Sequence, residues 1–194
     1  MKQFIGYLFL SFLFLAPLSA SYAQFAKGEA FIGGGINLDV YTATNSQTRT
    51  LFGLQPSIGI FTSSQDAVGI SPVLSINSGL SSTYARHSGG VSLFYRRYVT
   101  ITEKLFFQFG PSMVYLTNLS DEYKFNDLSL RFSPGMTYRP TTRWMFDLSL
   151  GSLNYRLVNR AISTTSKNTS RQFTANVSNS GFVTVAYIFT RKNQ

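Results

Sequence analysis

The 194-residue sequence contains no cysteine, one histidine and one tryptophan, and only 13% of its residues are charged. Without cysteine, the chain can form no disulfide framework and can carry no lipid on a cysteine side chain. One histidine without cysteine leaves too few ligands for a zinc or two-metal site, and we expect no metal and no other cofactor. A soluble domain normally carries about 25% charged residues. The low charge therefore argues against an ordinary water-facing surface.

Long apolar runs are missing everywhere except at the amino terminus. There, Lys2 precedes an apolar stretch that ends before the small residues Ser21 and Ala23, the pattern that signal peptidase recognises. The stretch is shorter than the roughly 20 residues that a spanning helix needs, which disfavours the alternative of an uncleaved anchor. We expect residues 1–23 to be a cleaved signal peptide and residues 24–194 to form one domain. The lack of later apolar runs excludes a helical membrane protein.

Aromatic residues are frequent in the remaining chain, and large apolar residues alternate with small or polar ones. The sequence has 18 Phe and 11 Tyr. In the clearest segment one face carries Phe52, Leu54, Pro56, Ile58 and Ile60, and the other carries Gly53, Gln55, Ser57 and Gly59. Similar segments cover 68–77, 107–115 and 128–138, and weaker ones lie within 30–40, 90–101, 144–157 and 176–190. A barrel strand in lipid needs this alternation. The pattern predicts about eight membrane-spanning strands.

Two irregularities qualify these strands. The apolar face changes phase at Gly151 and Ser152, which predicts a β-bulge in the seventh strand. Proline normally marks edge strands, because it cannot donate a ladder hydrogen bond. Each proline within the clear segments nevertheless falls on the apolar face of a strongly alternating pattern, and we retain those strands: the residues are Pro56, Pro72, Pro111 and Pro134.

Short and long connections alternate along the predicted strands. The short, turn-rich connections are 63–66, 102–104 and 140–142, and the long polar ones are 41–49, 80–88, 119–125 and 159–172. Outer-membrane barrels have short periplasmic turns at one end and longer extracellular loops at the other. The alternation therefore predicts that both termini of the mature chain lie in the periplasm.

The signal peptide, the strand count, the loop alternation and an aromatic carboxy-terminal strand, Val183–Phe189, together carry a family resemblance. The mature chain resembles small OmpA/OmpX-like outer-membrane β-barrels of Gram-negative bacteria. Such barrels usually end on the aromatic residue, whereas residues 190–194 follow it here. The resemblance implies an all-β, closed antiparallel up-and-down transmembrane barrel without a periplasmic domain.

A secreted, lipocalin-like soluble barrel that binds a ligand is the main structural alternative. Its strands would meet water on the polar face and would be rich in Lys, Glu and Thr there. The polar faces here consist mainly of Gly, Ser, Asn and Gln. Small residues of this kind suit a crowded lumen better than a solvated surface.

The predicted barrel interior suggests a structural or interaction role in the outer membrane. Side chains fill the interior of an eight-stranded barrel, so an open pore is not expected; a narrow, porin-like channel for a small solute is the alternative. The inward-facing charges should pair, because unpaired charges are costly in a low-dielectric interior. This predicted lumen network comprises Asp39, Arg96, Arg131, Asp147 and Arg156.

The outer surface carries an excess of positive charge, and removal of Lys2 with the signal peptide lowers the formal net charge from +9 to +8. Arginine can bind a phosphate through two parallel hydrogen bonds. We therefore expect contacts to lipopolysaccharide or an acidic partner from Arg49, Arg86, Arg160, Lys167 and Arg171. Solvated loop charges without a partner are the simpler alternative. The expected partners are outer-membrane lipid and other outer-membrane proteins, and not nucleic acid.

Catalysis has little support in the sequence. His87 is adjacent to Ser88, but a serine hydrolase needs a nucleophile, a base and an orienting acid that converge in space. Adjacency alone does not meet that requirement. We expect His87 to be an ordinary loop residue and the protein not to be an enzyme.

Overall fold

The computed structural model describes residues 25–41, 49–78, 87–119, 124–163, 166–177 and 183–189. Among these residues no helix is long and apolar enough to cross a membrane. The regular elements are strands throughout: β1 (Ala30–Tyr41), β2 (Arg49–Phe61), β3 (Asp66–Ser78), β4 (His87–Thr100), β5 (Leu105–Phe109), β6 (Pro111–Asn118), β7 (Lys124–Phe132), β8 (Gly135–Tyr138), β9 (Trp144–Ser149), β10 (Gly151–Ser163), β11 (Ser166–Val177) and β12 (Val183–Phe189).

These segments form one closed antiparallel barrel of eight strands. Four of the eight barrel strands consist of two segments each, namely β5–β6, β7–β8, β9–β10 and β11–β12. The two segments of each strand pair with successive parts of the same neighbouring barrel strand; for example, β5 and β6 both pair with β4. The ring closes where β1 pairs with β12, for example Ala30 with Phe189, and where β4 pairs with β5. The predicted all-β, closed antiparallel up-and-down barrel is confirmed.

The barrel has two ends that differ in their connections. At one end, called here the turn end, the described connections 62–65, 101–104 and 139–143 join successive strands. The opposite end, called the loop end, holds the connections 42–48, 79–86, 119–123 and 164–165. Most of the predicted long loops therefore fall outside the described residues.

The predicted alternation of faces agrees with the burial of the side chains. Leu130 is 57% exposed and Ile58 is 56% exposed, whereas their neighbours Ser129 and Ser57 are 4% and 6% exposed. Apolar side chains thus face outward and small polar ones face the lumen. This arrangement is the reverse of the usual one in a water-soluble protein.

The predicted bulge lies between β9 and β10. Gly135 pairs with Ser149, while Phe132, three residues earlier, pairs with Leu153, four residues later. One extra residue on this strand shifts the register by one. Leu148, Leu150 and Leu153 all remain exposed on the outer face, which confirms the phase change at Gly151 and Ser152.

The surroundings of two prolines show how these strands tolerate the missing backbone N–H of proline. Pro56 on β2 lies opposite Pro72 on β3, and the ladder between these strands is interrupted between the pairs Leu54↔Leu74 and Ile58↔Ile70. Each proline is still placed by its other neighbour, since Pro56 pairs with Gly34 and Pro72 with Val91. The hydroxyl of Ser71 donates to the carbonyl of Pro56. The gap in the ladder therefore retains a hydrogen bond from a side chain.

One predicted loop is wrong. Residues 159–172 were expected to form a long polar loop, but β10 continues to Ser163 and β11 begins at Ser166. The two strands pair continuously from Gly151↔Val177 to Ala161↔Lys167. Backbone hydrogen bonds of a hairpin do not require apolar side chains. A polar sequence can therefore continue the sheet beyond the apolar belt.

Candidate functional site

The lumen is divided into an apolar region at the turn end and a polar region above it. The apolar region, called here the aromatic plug, is formed by Phe25, Phe31, Phe61, Ala67, Tyr98, Phe106, Met145, Ala186 and Ile188, all at most 2% exposed. Phe25 stacks on Phe61 with 4.2 Å between ring centroids. The turn end of the barrel is therefore closed by packed side chains.

The segment before β1 supplies the central ring of this plug. Gly28 has a φ of 89°, a conformation that favours glycine, and its N–H donates to the carbonyl of Phe61 at 2.8 Å. The N–H of Ala26 donates to the carboxylate of Glu29 at 3.1 Å. This turn directs Phe25 back into the barrel.

An arginine from the turn between β8 and β9 covers the plug. The guanidinium of Arg139 lies 4.8 Å from the ring centroid of Phe25 and donates to the carbonyl of Thr142 at 2.7 Å. Burial lowers the pKa of Arg139, and the negative charge of Glu29 opposes that effect. The arginine stays charged at neutral pH, because a guanidinium does not lose its proton under protein conditions.

Above the plug lies a cavity of about 140 Å³, called here the polar chamber. Its lining is dominated by hydroxyl, amide and charged groups, and it includes Gln55, Ser57, Ser71, Ser92, Arg96, Gln108, Ser112, Arg131, Ser133, Asp147, Ser149 and Thr184. Such a lining does not match the apolar ligand cavity that the lipocalin-like alternative requires.

An ion pair crosses the chamber. Arg96 of β4 donates from Nη1 to the Oδ2 atom of Asp147 on β9 at 2.7 Å. The hydroxyl of Thr137 donates to the other carboxylate oxygen at 2.6 Å. Asp147 is only 4% exposed, and both its oxygens have partners. The structure thus brings together two members of the predicted lumen network.

A second ion pair lies on the loop-end side of the first. Arg156 of β10 contacts Asp127 of β7 through both Nε and Nη2. Asp127 is 1% exposed. The sequence analysis identified Arg156 as a lumen residue but missed its partner, because the strand was taken to begin at Leu128. Extending the inward series Arg131 and Ser129 back by two residues would have included Asp127.

The two remaining members of the predicted network have no observed carboxylate or guanidinium partner. The side chain of Asp39 lies outside the described residues. Arg131 lines the chamber and forms no ion pair with any described residue, and its Nε is buried without a hydrogen-bond partner. Asp127 and Arg156 are near enough to Arg131 to act on it electrostatically.

The predicted outer cations lie near the loop end, as far as the structure describes them. Arg171 is exposed on β11, two positions from Phe173, which is 70% exposed. Arg49, Arg160 and Lys167 lie in strands β2, β10 and β11, but their side chains are outside the described set. Arg86 lies outside the described residues altogether.

His87 is the exposed first residue of β4. Its backbone carbonyl accepts a hydrogen bond from the N–H of Leu119 at 3.0 Å. In the described part of the chain, no group of three or more His, Asp or Glu residues is arranged to hold a metal ion. The polar chamber is therefore the main candidate functional site.

The fold and the chamber define a small closed β-barrel with a polar lumen. No family model and no curated protein matches the sequence. Among solved structures, the chain is similar to the N-terminal β-barrel domain of OprF from Pseudomonas aeruginosa. The identity is 13% and the TM-score 0.44, over 84% of this chain and 98% of that chain. A similarity at this level carries no information on function.

Proposed function

We propose that this protein is an integral outer-membrane β-barrel with a structural or interaction role and a lumen closed by side chains. The observation that carries the proposal is the apolar outer surface of the barrel. Its outward side chains include Ile32, Ile58, Ile70, Leu93, Met113 and Leu130, which are 45–57% exposed. Soluble monomers rarely expose continuous apolar patches of more than a few hundred Å².

This surface runs continuously around the barrel wall. In the ladder, Ile32 pairs with Ile58, Ile58 with Ile70, Ile70 with Leu93, Leu93 with Met113, and Met113 with Leu130. Each of these side chains faces outward. The apolar interior of a bilayer suits such a surface. A closed barrel can also span a bilayer, because its backbone hydrogen-bonding groups are paired between strands.

Outward aromatic residues at the turn end give further support. Tyr138, Trp144 and Phe189 are 46–54% exposed, and Trp144 packs edge-on against Tyr187 at 5.3 Å. Aromatic girdles of this kind mark the interfaces of outer-membrane barrels. Just beyond, Arg97 and Asp66 form an exposed ion pair at 3.8 Å. The turn end therefore has the polarity of a membrane–water interface, and we propose that it faces the periplasm.

Fractionation of cells that express the full chain tests the proposal. We expect the folded protein in the outer membrane, with a mobility on gels that changes when the sample is heated. Recovery from the soluble periplasmic fraction without detergent would contradict it and would favour a soluble barrel.

A second candidate function is passage of a small solute, and the polar chamber is the observation that favours it. The aromatic plug closes the chamber at the turn end, so passage requires the plug to move. Conductance across planar bilayers separates the two roles. The structural or interaction role predicts no steady conductance from the wild-type protein.

Lipopolysaccharide is the partner we propose for the loop end, and Arg171 is the described residue that supports it. It lies just beyond the exposed Phe173 on the outer wall, where phosphates of the outer leaflet would be reached. A variant with Arg160, Lys167 and Arg171 changed to Gln should bind lipopolysaccharide more weakly than the wild type does. This difference should be large at low salt and should shrink at high salt, because salt screens the attraction. Equal affinity of both proteins at low salt would contradict this role. We also propose that the barrel is not an enzyme.

A further inference from the structure

The polar chamber has an excess of positive charge. Among the described residues that line it, the charged side chains are Arg96, Arg131 and Asp147. Arg96 and Asp147 neutralise each other at 2.7 Å. Asp127, outside the chamber lining, forms an ion pair with Arg156 through its Oδ2 atom, and its Oδ1 atom has no hydrogen-bond partner among the described residues. Among the described residues, Arg131 therefore has no ion-pair partner of its own.

An uncompensated guanidinium is costly in a barrel interior of low dielectric constant. The Nε–H of Arg131 is buried without an acceptor among the described residues. The Oε1 atom of Gln108, which lines the same chamber, also lacks a partner among the described residues, and rotation of that amide would present its NH2 group instead. Both unpartnered groups belong to side chains that line the chamber.

Two serine side chains of the chamber lining are neighbours of Arg131 in the sheet. Ser112 on β6 is the direct ladder partner of Arg131, and Ser133 lies two positions further along the chain on the same face. A fork of guanidinium donors beside hydroxyl groups matches the oxygens of a carboxylate or phosphate. The volume of about 140 Å³ is sufficient for a small oxoanion, since one water takes about 30 Å³ in the liquid.

We propose that the polar chamber binds one small oxoanion, of the carboxylate or phosphate class, through Arg131 with Ser112, Ser133 and Gln108 as additional donors. The anion supplies the counter-charge that the described residues do not. This inference goes beyond the proposed role in the membrane and does not depend on it, because the chamber belongs to the barrel fold.

The test is equilibrium binding of inorganic phosphate, and separately of acetate, to the full chain folded in detergent micelles at constant ionic strength. We expect saturable binding of one anion per chain to the wild type. Arg131→Gln should weaken binding by about tenfold or more, as expected for hydrogen bonds to a charged group. Arg97→Gln is the matched control, because Arg97 carries the same charge on the outer wall; its affinity should equal that of wild type.

Two further variants keep the test decisive if Arg131→Gln does not fold. Arg131→Lys retains the charge but loses the two-pronged donor, and Ser112→Ala removes one hydroxyl; each should weaken binding while the protein keeps its heat-dependent mobility. Absence of saturable binding of either anion by the wild type would overturn the proposal. The proposal would also be overturned if the folded Arg131 and Ser112 variants bound the anions with the same affinity as the wild type. The loss of anion binding would leave the fractionation result unaffected, so the two proposals can fail separately.

Discussion

Arg96 and Asp147 form an ion pair of 2.7 Å across the barrel lumen, although they are 51 positions apart in the sequence. The pair joins β4 to β9, which are separated by β5 and β8 on the shorter way around the wall. Together with the hydroxyl of Thr137 on β8, it connects several strands through one carboxylate. The contact is therefore a cross-brace of the barrel.

Asp147→Asn should destabilise the folded barrel by about 3 kcal/mol, because it leaves the Arg96 guanidinium without its counter-charge in the lumen. Urea unfolding from lipid vesicles measures this free energy. Arg97→Gln is the matched control: the Arg97 side chain is 47% exposed on the outer wall and lies 3.8 Å from Asp66, and we expect a loss of less than about 1 kcal/mol. Equal losses from both variants would contradict the cross-brace.

Leu93→Arg should cost about 2–4 kcal/mol in the same measurement, since it places a charge on the apolar face at the middle of β4. Leu93 is 47% exposed. Ile101→Arg serves as the control, because Ile101 is 51% exposed but lies in the turn after the strand. There the cost should fall to about 0–1 kcal/mol. A Leu93 variant that is as stable as the Ile101 variant would show that this face does not meet lipid.

Phe25→Ala should destabilise the barrel by about 3–5 kcal/mol, because it removes a ring that is 1% exposed and stacked within the plug. The same variant should increase conductance across planar bilayers, since the plug closes the turn end. Phe173→Ala offers a control on the outer wall, where the ring is 70% exposed. An unchanged stability of the Phe25 variant would mean that this ring does not close the barrel.

Trp144 is the only tryptophan and reports the position of the turn end. Its emission should shift to the blue when the chain folds into vesicles, and lipids brominated near the headgroups should quench it most strongly. A Trp144→Phe/Leu93→Trp variant should reverse this preference in favour of bromines deep in the acyl chains. Equal quenching of Trp144 by aqueous iodide in the folded and unfolded protein would place it in water.

Much of this fold can be predicted from the sequence, because a lipid-facing barrel strand imposes period-two alternation over its whole length. Ile58 and Ser57 are assigned to the correct faces by that rule alone. The bulge at Gly151 is equally visible, since an inserted residue reverses the order of faces. These features depend only on neighbouring residues along the chain.

The alternation rule predicts less beyond the apolar belt of the barrel wall. Beyond the apolar belt, residues 159–172 are polar on both faces, yet most of them continue as strands because the hairpin ladder needs only backbone groups. At the opposite end, Phe31 and Phe61 are large residues on the inward face, where small ones were expected. They signal the plug, but Phe25 precedes the first strand and no periodicity indicates it.

The candidate site can be predicted from the sequence only in part. The inward position of Arg96, Arg131, Asp147 and Arg156 follows from alternation, but their partners depend on register around the whole ring. In the ladder between β7 and β10, Asp127 lies opposite Val158. Val158 is two positions from Arg156 on the same face, and this register brings Arg156 next to Asp127. Such cross-strand relationships require the closed barrel, and so the absence of an ion-pair partner for Arg131 among the described residues appears only in three dimensions.

The central claim, that the apolar outer wall faces lipid, is tested most directly by spin labels on single cysteines. The natural chain has no cysteine, so labels can be placed one at a time at positions 70, 93, 113 and 130, which are successive neighbours around the wall. A label at position 102 in the turn after β4 is the control. We predict that oxygen dissolved in the bilayer relaxes the four wall labels more strongly than a water-soluble nickel chelate does, and that the turn label shows the opposite order. Stronger relaxation of the wall labels by the nickel chelate would contradict a barrel that spans the membrane.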